Sequence, residues 1–270
     1  MRIGGREFKD SHRTYIWGIL NVTPDSFSDG GRYNRPDAAL FQVERMLAEG
    51  MDVLDIGGES TRPGHTRISV SEEIERTAPV IEAVKARFDV PVSLDTYKYE
   101  VARAGAQAGA DLINDIWGLK YDGGQMAAFL AESGLACCLM HNRRQAEYGD
   151  FLPELLADLK ETLEIAKEAG IDKGRIILDP GVGFAKSREQ NLEVLAHLDS
   201  LHALGCPFLL GASRKSVIGL TLELPVSERL EGTLVTTVLA VLAGCAHVRV
   251  HDVKENARAA RMARAILEYR

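Results

Sequence analysis

The chain has 270 residues, of which 46% are hydrophobic and 26% are charged; this composition is typical of a folded globular protein and excludes a disordered one. Its 39 acidic and 32 basic residues give a net charge of -7, which disfavours a general nucleic-acid-binding protein, because such proteins present a basic face. An anionic small molecule is still an acceptable substrate, since a pocket needs only a few local cations.

The sequence offers no sign of export or membrane insertion. Its first residues carry charges where a signal peptide has an apolar core. The longest apolar stretch, residues 234–246, includes two threonines and is shorter than the roughly 18–20 residues of a membrane span. The four cysteines lack C-x-x-C spacing and lie in apolar surroundings, which predicts buried free thiols. We therefore expect a cytoplasmic protein with neither a membrane nor a nucleic acid as its partner.

Residues 1–14 precede the first apolar run and are predicted to form a small hairpin around Gly4 and Gly5. Eight short apolar runs follow in chain order: 15–20, 52–56, 90–94, 111–113, 135–140, 175–178, 207–210 and 247–250. They are rich in Val, Ile and Leu, as is typical of parallel strands that are covered on both faces. Amphipathic helices are predicted between them, for example 71–87, 153–169 and 227–242, with a helix start at Ser71 and a stop at Gly170.

Eight strand-helix units in about 250 residues predict an α/β protein built as a single (β/α)8 TIM barrel with a short N-terminal hairpin. A doubly wound open sheet usually uses fewer strands in this length. No Pro-rich or Ser-rich linker divides the chain. We expect one domain over residues 1–270, with residues 1–14 as its hairpin extension.

Polar side chains follow every predicted strand, at the end where barrel enzymes place their active sites. They lie in the segments 21–31, 55–64, 95–96, 114–115, 141–143, 179–181, 213–215 and 249–252. One such residue is more often a helix cap or a turn residue than a ligand. Eight of them on one rim predict a single shared polar site.

Two groups of binding residues are predicted on this rim, one for a heterocycle and one for a phosphate group with its metal ion. Asp95, Asn114 and Asp179 would lie deep and match the donors and acceptors along the edge of a nitrogen heterocycle. Asn21, with carboxylates nearby, is a candidate oxygen ligand for Mg2+. The cations at outer strand ends or on loops suit a phosphate or diphosphate; they are Arg62, Lys215, Arg249 and His251. These residues alone do not identify the reaction.

Segments 21–31 and 55–64 resemble the two signature loops of the dihydropteroate synthase family, and the resemblance continues through the other strand ends, over about residues 15 to 265. It implies a pterin-binding barrel and a transferase of folate biosynthesis. The reaction would join (7,8-dihydropterin-6-yl)methyl diphosphate to 4-aminobenzoate, giving 7,8-dihydropteroate and diphosphate. The resemblance also implies Mg2+ as cofactor, a homodimer, and competition by sulfonamides for the aminobenzoate site.

The resemblance assigns roles to individual residues. Those implied in catalysis are Asp95, Lys215, Arg249, Asn21 and Asp29, with Asn21 also the metal ligand. The pterin ring would lie against Asp95, Asn114, Asp179 and Lys215, with Arg249 over it, and Thr61, Arg249 and His251 would face the diphosphate. The aminobenzoate would be framed by Phe27, Arg62, Pro63, Phe184 and Ser213.

The implied mechanism is dissociative: diphosphate leaves first, a cation forms at the pterin methylene, and the aromatic amine attacks it. No protein nucleophile is then needed. Three positions depart from the pattern common in the family. Val182 stands where an aromatic residue is common, Ala185 where glycine is common, and Ala212 where methionine is common. Because all three lie near the predicted aminobenzoate pocket, the resemblance is less informative there.

Two alternatives are weighed against the synthase. A pterin-dependent methyltransferase shares the barrel and the pterin-facing Asp and Asn, but the two complete loops and the Ser213–Lys215 segment favour the synthase. A non-catalytic pterin-binding homologue would be expected to lose polar rim residues, and none is missing. For the dimer, the apolar face of residues 234–242 is a possible contact, although we expect this face to cover the barrel instead.

Overall fold

The computed structural model describes residues 1–9, 13–23, 35–59 and 67–269. The chain begins with an antiparallel hairpin of β1 (Arg2–Ile3) and β2 (Arg6–Glu7), in which Gly4 takes a positive φ of 56°. Glycine adopts this conformation without the steric cost that a side chain would bring. The predicted hairpin is confirmed.

Eight parallel strands form the barrel. They are β3 (Tyr15–Asn21), β4 (Val53–Gly57), β5 (Val92–Asp95), β6 (Leu112–Asp115), β7 (Ala136–Met140), β8 (Ile176–Asp179), β9 (Leu209–Leu210) and β10 (His247–Val250). Their order is β8-β7-β6-β5-β4-β3-β10-β9, and a parallel bridge between Leu178 and Phe208 joins β8 to β9. The strands therefore follow one another around a nearly closed ring, and the predicted (β/α)8 barrel is confirmed.

The described helices surround the strands. They are α1 (Arg35–Glu49), α2 (Val70–Arg87), α3 (Tyr99–Gln107), α4 (Gln125–Ser133), α5 (Phe151–Ala169), α6 (Arg188–Ala196), α7 (Ser216–Leu222), α8 (Leu230–Leu242) and α9 (Val253–Leu267). Among these helices none has the length and apolarity that crossing a membrane requires.

Several predicted boundaries were wrong by a few residues. Ser71 does not start α2: Ser69 is its N-cap, and its hydroxyl accepts a hydrogen bond from the Glu72 backbone N–H at 3.2 Å. Residues 227–242 are not one helix, because a 3-10 turn (Val226–Glu228) precedes α8. The run 207–210 pairs as a strand only at Leu209–Leu210. The stop at Gly170 is confirmed; its φ of 89° ends α5 in the left-handed conformation.

Side chains alternate between the two faces of the barrel strands. One set packs outward against the helices, as Leu54, Leu94 and Ile113 do. The other set points inward and forms a separate apolar cluster of Ile3, Phe8, Tyr15, Trp17, Val53, Leu112, Ala136, Cys138, Ile177 and Leu209. Because strand beginnings and hairpin residues share this cluster, the hairpin covers the N-terminal end of the barrel. The inward positions further along the strands are then left to polar residues.

The expectation that the apolar face of α8 covers the barrel was wrong. The side of α8 that is buried carries Thr233, Thr236, Thr237, Ala240 and Val241. Three of its large apolar side chains face outward instead: Val235, Leu239 and Leu242 are 59%, 39% and 41% exposed. The buried side of α8 thus carries threonines, Ala240 and Val241, and the bulkier apolar side chains are left on the surface.

Candidate active site

One register row carries polar residues across four neighbouring strands. Asn21 on β3 pairs with Gly57 on β4, Gly57 with Asp95 on β5, and Asp95 with Asn114 on β6. Gly57 leaves a gap in this row: a Cβ built there would lie 3.6 Å from Asn21 Oδ1 and 3.7 Å from Asp95 Oδ2. Asp95 and Asn114 are buried. The row therefore brings two amides and a carboxylate together inside the C-terminal end of the barrel.

Arg249 of β10 lies inside the barrel. Its Nε donates to Asp55 Oδ2 at 2.6 Å and its Nη2 donates to Asp95 Oδ2 at 2.7 Å. Its placement among the outer cations of the rim was wrong, because Arg249 shares its inward orientation with His247, two residues earlier on the strand. Burial raises the pKa of Asp95 to about 7, although Arg249 opposes this shift. Asp95 Oδ1 is buried and has no hydrogen-bond partner among the described residues.

Asp179 and Lys215 face each other at the end of β8. A Cβ built on Gly211 would lie 3.5 Å from Asp179 Oδ2 and 3.7 Å from Lys215 Nζ. Asp179 Oδ1 accepts from the Gly181 backbone N–H at 2.7 Å. Burial raises the pKa of Asp179 and lowers the pKa of Lys215 to about 8, while each charge opposes the shift of the other. A carboxylate and an ammonium group thus share one buried wall of the site.

Phe184 and Val182 hold the Lys215 ammonium from the other side. Lys215 Nζ donates to the Val182 carbonyl at 2.6 Å and lies 4.7 Å from the centre of the Phe184 ring. Of the three departures, Val182 and Ala212 are buried, and Ala185 takes a positive φ of 42°. That backbone conformation favours glycine over alanine. Ala185 O accepts a hydrogen bond from the Tyr148 hydroxyl at 2.8 Å.

Ser213 and His251, predicted for different parts of the site, are neighbours. The Ser213 hydroxyl and His251 Nδ1 are 3.0 Å apart, and the His251 backbone N–H donates to the same hydroxyl at 3.2 Å. Ser213 is buried and His251 is half-buried. The two residues form a polar edge where β9 and β10 end.

Several residues at this end of the barrel were missed by the sequence analysis. Asp55 is fully buried and pairs with Arg249. Side chains two residues apart on a strand face the same side, so Asp55 points inward as Val53 does, and this alternation could have identified it from the sequence. Met140 lies in an apolar cluster with Tyr97 and Ile116, against which Phe184 packs. His141 and Lys186 contact each other through Nδ1 and Nζ at 2.8 Å, and no local sequence pattern predicts that contact.

Five predicted site residues lie outside the described residues: Phe27, Asp29, Thr61, Arg62 and Pro63. Described residues on either side of 60–66 are tied together by Lys98. Its Nζ donates to Glu59 Oε2 and Glu73 Oε2, both at 2.6 Å, and to the Ile68 carbonyl at 2.8 Å. This buried ion-paired cluster fixes the chain where it leaves β4 and where it enters α2.

Few possible metal ligands lie near Asn21 in the described part of the chain. Within the described ranges no group of three or more His, Cys, Asp or Glu side chains is arranged to hold a metal ion. Asn21 supplies an amide oxygen beside the Asp95 carboxylate, across Gly57. This set fits Mg2+, which keeps several waters and is commonly held by few protein oxygens together with substrate phosphates.

The fold and this site define a class: a (β/α)8 barrel that binds a polar heterocycle among buried carboxylates and amides. The family model described as "Pterin binding enzyme" matches residues 17–251. Dihydropteroate synthase of Clostridium beijerinckii is 55% identical over 263 residues, which cover 97% of each chain.

Two solved structures give the same result. One, of dihydropteroate synthase from Clostridium difficile in the presence of pteroic acid, is 48% identical with a TM-score of 0.93 and covers 96% of this chain and 99% of that one. The other, of the Xanthomonas albilineans enzyme with 4-aminobenzoic acid, is 43% identical with a TM-score of 0.90 and covers 95% and 94%. The chain belongs to the pterin-binding enzymes, and within them to the dihydropteroate synthase family.

Proposed function

We propose that this chain condenses (7,8-dihydropterin-6-yl)methyl diphosphate with 4-aminobenzoate to give 7,8-dihydropteroate and diphosphate. One observation carries the proposal. Asp95 Oδ1 is a buried acceptor without a partner among the described residues, and it lies in register with Asn114 inside a barrel of the pterin-binding family. A buried acceptor left unpaired costs free energy, which an N–H donor of a bound ring recovers. The C. difficile relative, crystallised with pteroic acid, supports this choice of ring.

The pterin is bound by residues at the ends of neighbouring strands. Asp95 and Asp179 accept from ring N–H groups, and Asn114 both donates and accepts. Lys215 lies beside Asp179 and donates to a ring acceptor, while the Arg249 guanidinium packs over the ring. Because these groups sit on strands or, like Lys215, are held by a hydrogen bond in the empty protein, they are in place before the substrate arrives, and little reorganisation is needed.

The leaving diphosphate is bound at the outer part of the site by Thr61 and His251, with Arg249 facing it from within the barrel. Asn21 would hold Mg2+, which supplies positive charge to the departing diphosphate oxygens. The carbon–oxygen bond at the pterin methylene breaks with its electron pair going to diphosphate. Asp95 and Asp179 place negative charge close to the ring that becomes electron-poor, which favours the resulting cation. Asp29 is proposed to act in this same step.

The aminobenzoate is framed by Phe27, Arg62, Pro63, Phe184 and Ser213, and sulfonamides compete for this position. Its amine nitrogen attacks the methylene cation, forms the new carbon–nitrogen bond and releases a proton. No protein nucleophile takes part. The X. albilineans relative, crystallised with 4-aminobenzoic acid, supports the choice of this second substrate.

The decisive experiment is diphosphate release from the pterin diphosphate with Mg2+, with and without 4-aminobenzoate, while dihydropteroate is followed by chromatography. Product that depends on the amine is the expected result. Pterin binding without product would contradict the synthase and favour a non-catalytic homologue. Methyl transfer from a methylated folate would instead identify a methyltransferase.

We also propose that residues 1–270 form one domain, that the protein is cytoplasmic, and that it is a homodimer. The apolar surface on neighbouring helices α8 and α9 supports the dimer: Val235, Leu239 and Leu242 are exposed on α8, and Met262 and Ile266 are 63% and 49% exposed on α9. Exposed apolar residues collected on one face mark interaction sites.

Sedimentation equilibrium tests the homodimer. Leu239→Arg places a charge in the exposed apolar surface and is expected to give a monomer. Leu192→Arg is the matched control, because Leu192 is a 38% exposed apolar residue on α6, a helix that packs against α5 and α7. A Leu239→Arg protein that sediments like the wild type would reject this interface.

A further inference from the structure

The ammonium group of Lys186 is held by three acceptors. Its Nζ lies 2.8 Å from His141 Nδ1, 3.0 Å from the Gly181 carbonyl and 3.1 Å from the Phe184 carbonyl. A protonated lysine has three N–H donors, so these contacts use all of them; burial lowers the pKa of Lys186 to about 7. Two of the acceptors are backbone carbonyls of the segment 181–185, which links β8 to the turn before α6. Lys186 therefore binds both ends of this segment, which we call the β8–α6 loop.

His141 and Asp158 fix Lys186 to the rest of the barrel. Burial and the nearby Lys186 charge lower the pKa of His141 to about 3, so the ring is neutral at pH 7. Since Lys186 donates to Nδ1, the ring proton is on Nε2, which lies 2.9 Å from Asp158 Oδ2 on α5. Arg143 also donates to Asp158, at 2.6 and 3.0 Å. The ammonium is thus anchored to β7 and α5.

The opposite side of the same loop faces Lys215. The carbonyls of Gly181 and Phe184 turn to Lys186, whereas the Val182 carbonyl between them turns to Lys215 Nζ at 2.6 Å. Two glycines permit this alternation: Gly181 and Gly183 have φ of 70° and 85°. A Cβ on Gly181 would lie only 2.0 Å from the His141 carbonyl, so the loop packs directly against the end of β7.

We propose that Lys186 is a positioning residue: by holding the β8–α6 loop from behind, it fixes the Val182 carbonyl and the Phe184 ring that place the Lys215 ammonium opposite Asp179. Lys186 does not contact the reacting atoms. The backbone of Asp179 is held within the sheet, because its carbonyl accepts from the His141 backbone N–H at 2.8 Å, whereas its Oδ1 accepts from the Gly181 N–H of the loop. Loss of Lys186 therefore displaces the Phe184 side of the site and leaves Asp95 on β5 and Asn114 on β6 in place.

The first test is independent of the reaction. Hydrogen exchange followed by mass spectrometry is measured on the ligand-free proteins, comparing wild type with Lys186→Met. Methionine keeps most of the side-chain volume and removes all three donors. Exchange is expected to rise at least tenfold in peptides that cover 181–185 and to stay unchanged in those of β5 and β6. The control is Lys167→Met, an exposed lysine of α5 that pairs only with Glu164 among the described residues. Equal exchange in the β8–α6 loop of wild type and Lys186→Met overturns the inference.

The second test is kinetic, and this part rests on the proposed function. In Lys186→Met, KM for 4-aminobenzoate is expected to rise about tenfold, the effect of losing one or two hydrogen bonds to a charged group. KM for the pterin diphosphate is expected to rise about threefold, because Lys215 loses its fixed acceptor while Asp95 and Asn114 stay on their strands. Wild-type KM values for both substrates in a folded Lys186→Met protein would show that Lys186 does not position the site. If wild type forms no dihydropteroate, the proposed function fails, while the exchange experiment still decides the role of Lys186.

A milder variant covers the case in which Lys186→Met does not fold. Tyr148→Phe removes only the hydroxyl that donates to the Ala185 carbonyl of the same loop. Its KM for 4-aminobenzoate is expected to rise two- to threefold, with a smaller rise in the pterin KM. A Tyr148→Phe enzyme with wild-type KM values and wild-type exchange in residues 181–185 would argue against control of the site through this loop.

Discussion

Arg249 and Asp95 form an ion pair inside the barrel, with Nη2 donating to Oδ2 at 2.7 Å. The same guanidinium donates to Asp55, which is fully buried, so one cation compensates two carboxylates. The pair uses only one oxygen of Asp95 and leaves Oδ1 without a partner among the described residues. A charge pair that stabilises the empty barrel therefore also keeps one acceptor directed at the substrate.

Arg249→Gln is expected to destabilise the protein. It removes the positive charge from Asp55 and Asp95, and an uncompensated buried carboxylate costs about 3 kcal/mol. Urea denaturation at pH 7 measures the change in the free energy of unfolding. Arg249→Lys, which keeps the charge, is the matched control and is expected to lose less. An Arg249→Gln protein as stable as wild type would contradict the buried pair.

The stability of the protein is expected to depend on the protonation of Asp95. Its pKa is raised from 3.8 to about 7, chiefly by burial. A carboxyl whose folded pKa is raised contributes stability that is complete below pH 3.8 and is lost as the pH rises through 7. Asparagine at this position does not titrate, so Asp95→Asn does not lose stability in this way. The free energy of unfolding of Asp95→Asn minus that of wild type is therefore expected to increase between pH 4 and pH 8. The slope is at most about 1.4 kcal/mol per pH unit.

Urea denaturation of both proteins across this pH range measures the difference. Asp172→Asn serves as a control, because Asp172 is an exposed cap on the Gly174 backbone N–H. A difference between Asp95→Asn and wild type that is constant from pH 4 to pH 8 would show that Asp95 does not titrate in this window.

Asp179→Asn is expected to weaken pterin binding about ten- to a hundredfold, because it removes a charged acceptor of paired N–H donors. The fold is expected to persist, since the amide oxygen of asparagine is able to accept from the Gly181 backbone N–H, as Asp179 Oδ1 does at 2.7 Å. Calorimetry with the pterin diphosphate measures the affinity. Unchanged binding would remove Asp179 from the pterin site.

Lys215→Ala is expected to lower kcat about a hundredfold, in line with the loss of one preorganised charged donor from an active site. Stability is expected to fall by about 1–3 kcal/mol, because the Val182 carbonyl loses its donor and the buried Asp179 carboxylate loses a compensating charge. Product formation and circular dichroism are measured on the same preparation. Normal turnover in a folded variant would exclude Lys215 from the reaction.

Much of the site followed from position along the strands. Asp95, Asn114 and Asp179 each end a short apolar run, and a parallel barrel brings such ends to one rim. The alternation of side chains also identifies which residues face inward. Applied to β10, it would have placed Arg249 inside with His247; the prediction failed because an arginine at a strand end was assigned to the rim on its charge alone.

The sequence by itself determined the number and order of the strand-helix units and the residues that end them, because strand periodicity and turn residues are local properties. It also carried the two loop motifs that identify the family. Only the tertiary structure decided the pairing of Arg249 with Asp55 and Asp95, which are separated from it by 194 and 154 residues. The same holds for Lys186, whose partners include backbone carbonyls that any residue provides. Such contacts depend on how the folded chain brings distant groups together, and a local pattern of residue types does not predict them.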